Sequence, residues 1–152
     1  MTDWQADAHV DDARPGTGRR ALIVDDSRAI RSMLRRLVTG LGFEVLDAGN
    51  GAEALDILRD EATPLDLVLA DWNMPVMDGL TLVKTMRSEA RFADVVVLMV
   101  SSESDPDNVA RALMKGADDY IIKPLTAEIL AGKLEMLDTW RPTVGAAGEA
   151  RR

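Results

Sequence analysis

Five short apolar runs, each followed by a stretch with helical spacing, constrain this chain more than any other feature. Ala21-Leu22-Ile23-Val24, Phe43-Glu44-Val45-Leu46, Leu65 to Ala70, Val95 to Val100 and Tyr120-Ile121-Ile122 have the length and content of buried strands. Between them, Ile30, Met33, Leu34, Leu37, Val38 and Leu41 recur at helical spacing, and Gly42 is placed to end that helix. Asn50 is a capping residue for a second helix carrying Ala54, Leu55 and Leu58. Leu82, Val83 and Met86 mark a third. Asp105-Pro106 opens a fourth, with a cap followed by proline at the first helical position. Val109, Ala112 and Leu113 give that helix its inward face, and Gly116 stops it. Thr126 opens a fifth, with Leu130, Leu134 and Leu137 inward and Gly132 weakening it somewhat. Five strands alternating with five helices predict an α/β fold: a doubly wound, five-stranded parallel sheet with helices on both faces and right-handed crossovers.

The periodicity covers residues 19–140, one domain with a single sizeable core. Residues 1–18 mix Asp, Ala, Pro15, Gly16 and Gly18 without period, and residues 141–152 carry Gly-Ala-Ala-Gly. Both are expected to be flexible tails, with Trp4 and Trp140 at their inner or outer margins. No output domain follows residue 140, so the domain is expected to act alone.

Composition removes several kinds of chemistry. There is no cysteine, which excludes disulfides, thiolate catalysis and thiolate-bound zinc. The one histidine, His9, lies in the N-terminal stretch, so a multi-histidine metal site is excluded as well. A net charge of −8 disfavours phosphate backbones and anionic lipid, so neither nucleic acid nor membrane is an expected partner. No apolar run is long enough to span a bilayer, and the acidic start (Asp3, Asp7) does not read as a signal peptide. The expected location is the cytoplasm.

In doubly wound sheets the functional crevice lies at the carboxyl ends of the strands. The first strand ends in Asp25-Asp26, the third in Asp71, the fourth in Ser101-Ser102 and the fifth in Lys123-Pro124. Taken singly, each has a plain structural use. Asp-Asp before a helix is a cap, Asp71 and Ser101 are turn formers, and Lys123 is a surface charge. Their coincidence at equivalent strand ends calls for another explanation. Two carboxylates about 4 Å apart repel by about 4 kcal/mol at an effective dielectric of 20. Three together either raise one pKa sharply or take up a cation. An all-oxygen ligand set selects a hard ion, Mg²⁺ or Mn²⁺. A metal, the Lys123 ammonium and the Ser101 hydroxyl around one carboxylate describe a site for phosphoryl transfer, in which positioning and charge neutralisation supply most of the catalysis. Asp71 is the central carboxylate. As a nucleophile it would form an acyl phosphate, which makes it the candidate phosphoacceptor.

These residues resemble a known family. Ile23-Val24-Asp25-Asp26-Ser27, Asp71-Trp72-Asn73-Met74-Pro75 with Met77-Asp78-Gly79, Ser101, and Lys123-Pro124 are similar to the receiver domain of two-component response regulators, in particular its single-domain, CheY-like branch. The resemblance spans about residues 20–140. It implies the flavodoxin-like strand order 2-1-3-4-5. It also implies that Asp71 receives a phosphoryl group from the phosphohistidine of a histidine kinase or histidine phosphotransfer protein. Asp26 and Asp71 would bind Mg²⁺ directly, Asp25 through water, and the backbone carbonyl of Asn73 would complete the set. Lys123, on a Lys-Pro peptide commonly cis in the family, would contact the phosphoryl group. Ser101 and Tyr120 would form the switch, the ring turning inward when the hydroxyl moves. Asn73 and Glu103 occupy positions that tune dephosphorylation. The fourth helix, fifth strand and fifth helix, roughly 105–139, would change partner binding toward a downstream protein. The chain would be a monomer or a weak phosphorylation-dependent dimer, and not a turnover enzyme. Arg31, Arg35 and Arg36 form a basic patch on the first helix, read equally as a kinase-facing surface and as a solvated face.

Other readings have specific requirements. An aspartate-nucleophile phosphatase usually has a second carboxylate two residues after the nucleophile, where this chain has Asn73. A flavodoxin-like binding protein needs a Gly/Ser/Thr-rich phosphate loop after the first strand, where Asp25-Asp26 would repel the ligand. Within the regulator reading, a chemotaxis role, a phosphorelay intermediate, a phosphate sink and a phosphorylation-independent scaffold all stay open.

Overall fold

The computed structural model describes residues 14–137. Strands β1 (Arg20–Val24), β2 (Glu44–Ala48), β3 (Leu67–Ala70), β4 (Val96–Ser101) and β5 (Asp119–Ile122) alternate with helices α1 (Arg28–Gly40), α2 (Gly51–Leu58), α3 (Gly79–Arg87), α4 (Pro106–Met114) and α5 (Ala127–Met136). The sheet order is β2-β1-β3-β4-β5, and every pairing is parallel. The predicted doubly wound five-stranded sheet is therefore the observed one, with the expected order.

Alternation along the strands builds two cores. Leu22, Val24, Val68, Val97 and Met99 point to one face and pack against Ala54 and Leu55 of α2, Leu82 and Met86 of α3, and Ala112 of α4. Ile23, Leu69, Leu98 and Ile121 point to the other and meet Leu34 and Val38 of α1 with Leu130 and Leu134 of α5. Strands covered on both sides read as unbroken apolar runs, which is why β3 and β4 were legible as runs and not as alternations.

Helix starts follow capping chemistry. The side chains of Ser27, Asn50, Asp78, Asp105 and Thr126 each accept a backbone N–H of the first turn of their helix. Gly42 adopts φ 100° just past α1, the left-handed conformation that ends a helix most readily in glycine.

Several expectations need correction. The helical spacing puts Leu113 on the inward face of α4, but it is 41% exposed, and Ala112 is that helix's only buried residue. One residue is a turn of about 100°, so Leu113 is carried off so narrow a contact. Met33 on α1 is 40% exposed for the same reason, standing one residue before the buried Leu34. Leu137 follows α5 as its C-cap and is only partly buried. Residues 14–18, assigned to a flexible tail, form turns. The Gly16 N–H donates to the Leu41 carbonyl at 2.8 Å, and Arg19 N–H donates to the Gly16 carbonyl at 2.9 Å. The rest of both expected tails, with Trp4, His9 and Trp140, lies outside the described residues.

Candidate functional site

The carboxyl edge of the sheet gathers the predicted groups. Asp25 follows β1 directly and is buried, at 2% exposure. Its N–H donates to the Ala48 carbonyl at 3.1 Å, which ties it to the end of β2. One carboxylate oxygen accepts the Ser27 N–H at 2.9 Å, and the other accepts the Lys123 ammonium at 3.0 Å. Asp26, next in the chain, is exposed. Asp71 follows β3, where its N–H donates to the Val24 carbonyl at 2.9 Å. Its Oδ1 accepts the Trp72 N–H at 2.7 Å and its Oδ2 stands 3.4 Å from Lys123 Nζ. Asp25, Asp26 and Asp71 each offer an oxygen within 4.8 Å of the others, close enough to share one ion. The donor set is all oxygen and one member is open to solvent, which fits a hard divalent cation that keeps part of its water.

Lys123 bridges two of the three anions across the crevice. Burial by itself would lower its pKa. The hydrogen bond and charge of Asp25, helped by Asp71, outweigh that and hold the ammonium above the usual lysine range. The Lys123-Pro124 peptide is cis.

The loop after Asp71 is tightly constrained. A Cβ on Gly79 would come within 2.1 Å of the Asp71 carbonyl oxygen, so only glycine fits there. The Gly79 N–H donates to the Trp72 carbonyl at 2.8 Å, and the Gly51 N–H of α2 donates to the Met77 carbonyl at 3.0 Å. Between these ties the Met77 N–H reaches back to the Pro75 carbonyl at 2.7 Å, closing a three-residue turn on Val76 at φ 68°. That conformation is costly for a β-branched residue, and Val76 has no packing to offset it, being 83% exposed. Asn73 lies on the same loop and is exposed.

Ser101 and Tyr120 meet on one residue. Ser101 is fully buried, and its Oγ accepts the Glu103 N–H at 3.2 Å. The Tyr120 hydroxyl donates to the Glu103 carbonyl at 2.8 Å. The tyrosine ring is turned inward and buried, 6.5 Å from the Trp72 ring. Its burial raises the phenol pKa above the ordinary value. The Arg111 guanidinium of α4 stands 6.0 Å from the centre of the Trp72 ring.

The basic patch of α1 is partly spent. Arg31 and Arg35 both approach Asp47, at 3.8 and 3.5 Å, while Arg36 stays exposed. The sequence shows these arginines as a surface run and gives no sign that two of them reach back to Asp47. The contact of Arg31 with the Asp25 carbonyl is likewise not readable from spacing.

A doubly wound parallel sheet with a cation-ready acidic triad, a lysine and a buried serine at its carboxyl edge defines an α/β protein with an acidic pocket open to a hard cation. The chain belongs to the response regulator receiver domain family, whose model matches residues 21–135. It is 40% identical over 119 residues to the chemotaxis protein CheY1 of Helicobacter pylori, covering 78% of this chain and 95% of that one. It is also 40% identical over 117 residues to a chemotaxis protein CheY homolog of Campylobacter jejuni, covering 76% and 89%. Among solved structures it superposes on the CheY of Borrelia burgdorferi in its complex with CheX, BeF3 and Mg²⁺, with a TM-score of 0.72, 29% identity, and coverage of 80% of this chain and 95% of that one. Vibrio cholerae CheY4 gives a TM-score of 0.70 at 32% identity, covering 77% and 96%. The chain is thus a CheY-like response regulator of two-component signalling. Among the described residues no helix is long and apolar enough to cross a membrane.

Proposed function

We propose that the protein accepts a phosphoryl group on Asp71 from the phosphohistidine of a histidine kinase or histidine phosphotransfer protein. The convergence of Asp25, Asp26 and Asp71 within 4.8 Å, with Lys123 Nζ 3.4 Å from Asp71, carries this reading. In the transfer, a bond forms between an Asp71 carboxylate oxygen and phosphorus as the phosphorus–nitrogen bond to the donor imidazole breaks. The electron pair of the broken bond stays on the ring nitrogen, so an imidazole protonated on its other nitrogen leaves as neutral histidine, and the product on this chain is an aspartyl phosphate.

Asp26, Asp71 and the Asn73 backbone carbonyl would hold Mg²⁺, or Mn²⁺, directly, with Asp25 acting through water. Bound there, the ion supplies neutralisation of the phosphoryl oxygens. Lys123 would leave its place between Asp25 and Asp71 to contact a phosphoryl oxygen as a point charge. Because Ser101 Oγ accepts from Glu103, its own proton is available to donate to that group.

Movement of Ser101 toward the phosphoryl group pulls on Glu103, and through the Glu103 carbonyl on Tyr120. Two arrangements of this loop, biased by one added dianion, give the switch. The responding surface is α4, β5 and α5, which binds a downstream protein target. Asn73 and Glu103 flank the site and set how fast water removes the phosphoryl group. The relatives make chemotaxis the favoured pathway. The working form is a cytoplasmic monomer, or a weak dimer when phosphorylated, and it does not turn over an external substrate.

Incubation with acetyl phosphate and Mg²⁺, followed by intact-mass measurement, tests the reading. One phosphoryl group, labile to hydroxylamine, is expected on the wild type and not on Asp71→Asn. Equal labelling of both proteins, or labelling elsewhere, would sink it.

A further inference from the structure

We infer that Arg31 is a positioning residue for the cation site, one that fixes the Asp25–Asp26 peptide so that the exposed Asp26 carboxylate is held toward Asp71. The inference rests on the cation reading above.

Arg31 lies in the first turn of α1, behind the Ser27 cap, and that turn carries no acidic residue. A helix start is the positive end of its dipole, so Arg31, like Arg28 at the first helical position, gains nothing from it. The contacts of the Arg31 side chain show what it gains instead. Arg31 Nη1 donates to the Asp25 backbone carbonyl at 2.6 Å. Its Nε stands 3.8 Å from Asp47 Oδ2 at the end of β2, and its side chain is only 19% exposed. Arg35 reaches the same Asp47 oxygen at 3.5 Å and donates to the Val45 carbonyl at 3.0 Å. Asp47 is therefore an anchor, and Arg31 is the strut between that anchor and the acidic pair.

Every polar group of Asp25 is then engaged. Its N–H goes to Ala48, its two carboxylate oxygens to Ser27 and Lys123, and its carbonyl to Arg31. Asp26 has no hydrogen bond or ion pair among the described residues and is exposed. The direction of its side chain is set by the peptide that Arg31 holds. A rotation of that peptide would swing the Asp26 carboxylate away from Asp71.

Charge and position give opposite signs, which makes the inference testable. As a charge alone, a guanidinium beside a cation site repels the ion, and its removal would tighten binding. As a strut, its removal loosens Asp26 and weakens binding. Partners that orient metal ligands typically matter by tenfold or more.

Calorimetric titration of the full chain with MgCl₂ decides between them. Arg31→Ala is expected to bind Mg²⁺ about tenfold more weakly than wild type. Arg31→Lys keeps the charge but cannot hold both the carbonyl and Asp47 as the planar fork does, so it is also expected to weaken uptake. Lysine also keeps the helix intact should the alanine variant fail to fold. Wild-type uptake with equal or tighter binding by the folded variants would overturn the inference alone. Absence of uptake by the wild type would remove the cation reading, and this inference with it.

Discussion

The ammonium of Lys123 stands 3.0 Å from a carboxylate oxygen of Asp25, a residue 98 positions earlier in the chain. This contact closes the crevice between the first and last strands. It also places a cation of the protein's own where repulsion among the three aspartates is strongest.

Removing that cation should therefore cost stability, and a metal should restore part of it. Lys123→Met leaves the buried Asp25 carboxylate without its partner. Breaking a buried pair costs about 3–5 kcal/mol, and the partial exposure of Lys123 reduces this to about 2 kcal/mol. Urea unfolding without divalent ions is expected to show that loss, and millimolar Mg²⁺ to recover part of it. The pair has a pH signature. The Lys123 pKa is raised in the folded chain, so its contribution is fully present below about pH 10.4 and is lost as pH rises through the folded value.

Tyr120 is the only tyrosine, so its ionisation can be followed alone by ultraviolet absorbance. Burial raises its pKa, so the phenolate should appear above the ordinary value of about 10. Folding favours the protonated phenol. The associated stability is thus complete below about pH 10 and declines as pH climbs through the folded value. Tyr120→Phe removes the hydroxyl's bond to Glu103 and should cost about 1 kcal/mol in thermal or urea unfolding.

Gly79 should tolerate no side chain. The added Cβ of Gly79→Ala would meet the Asp71 carbonyl at 2.1 Å, a backbone atom just past the end of the middle strand β3. A loss of about 2–3 kcal/mol is expected. Because the clash bears on Asp71 itself, phosphorylation by acetyl phosphate should fall in the fraction that remains folded.

Val76 should behave in the opposite sense. It sits at φ 68° and is 83% exposed, so replacement loses no packing. Val76→Gly relieves about 1–3 kcal/mol of backbone strain against about 0.5–1 kcal/mol of added chain entropy. A net gain of about 1 kcal/mol in unfolding free energy is the expected outcome, and a lower melting temperature would contradict it.

The groups that could be read from the sequence share a cause. Asp25, Asp26, Asp71, Ser101 and Lys123 each follow a run whose apolar content fixes it as a strand, and parallel strands deliver their ends to one edge. Capping residues were legible because a helix start needs an acceptor at one position. What stayed hidden depends on contacts between distant segments. Spacing does not tell that Arg31 turns toward the Asp25 carbonyl or that Arg35 turns toward Val45. Leu113 matches the inward pattern of its helix, yet its exposure follows from how little of α4 touches the sheet. Residues 14–18 lack period because turns have none, and the bond from Gly16 to the distant Leu41 shows that they are held.

That shallow seat of α4 sets an energy scale for signalling. Ala112 is the one side chain the helix buries fully, and Val109 packs half-buried beside it. A buried methyl group is worth about 0.8 kcal/mol and a half-buried valine about 1 kcal/mol. Sliding or tilting the helix would forfeit on the order of 2 kcal/mol of side-chain burial, while the apolar layers beneath it stay shut. A change at the acidic edge need not melt anything to move this helix: it has only to outweigh two small anchors.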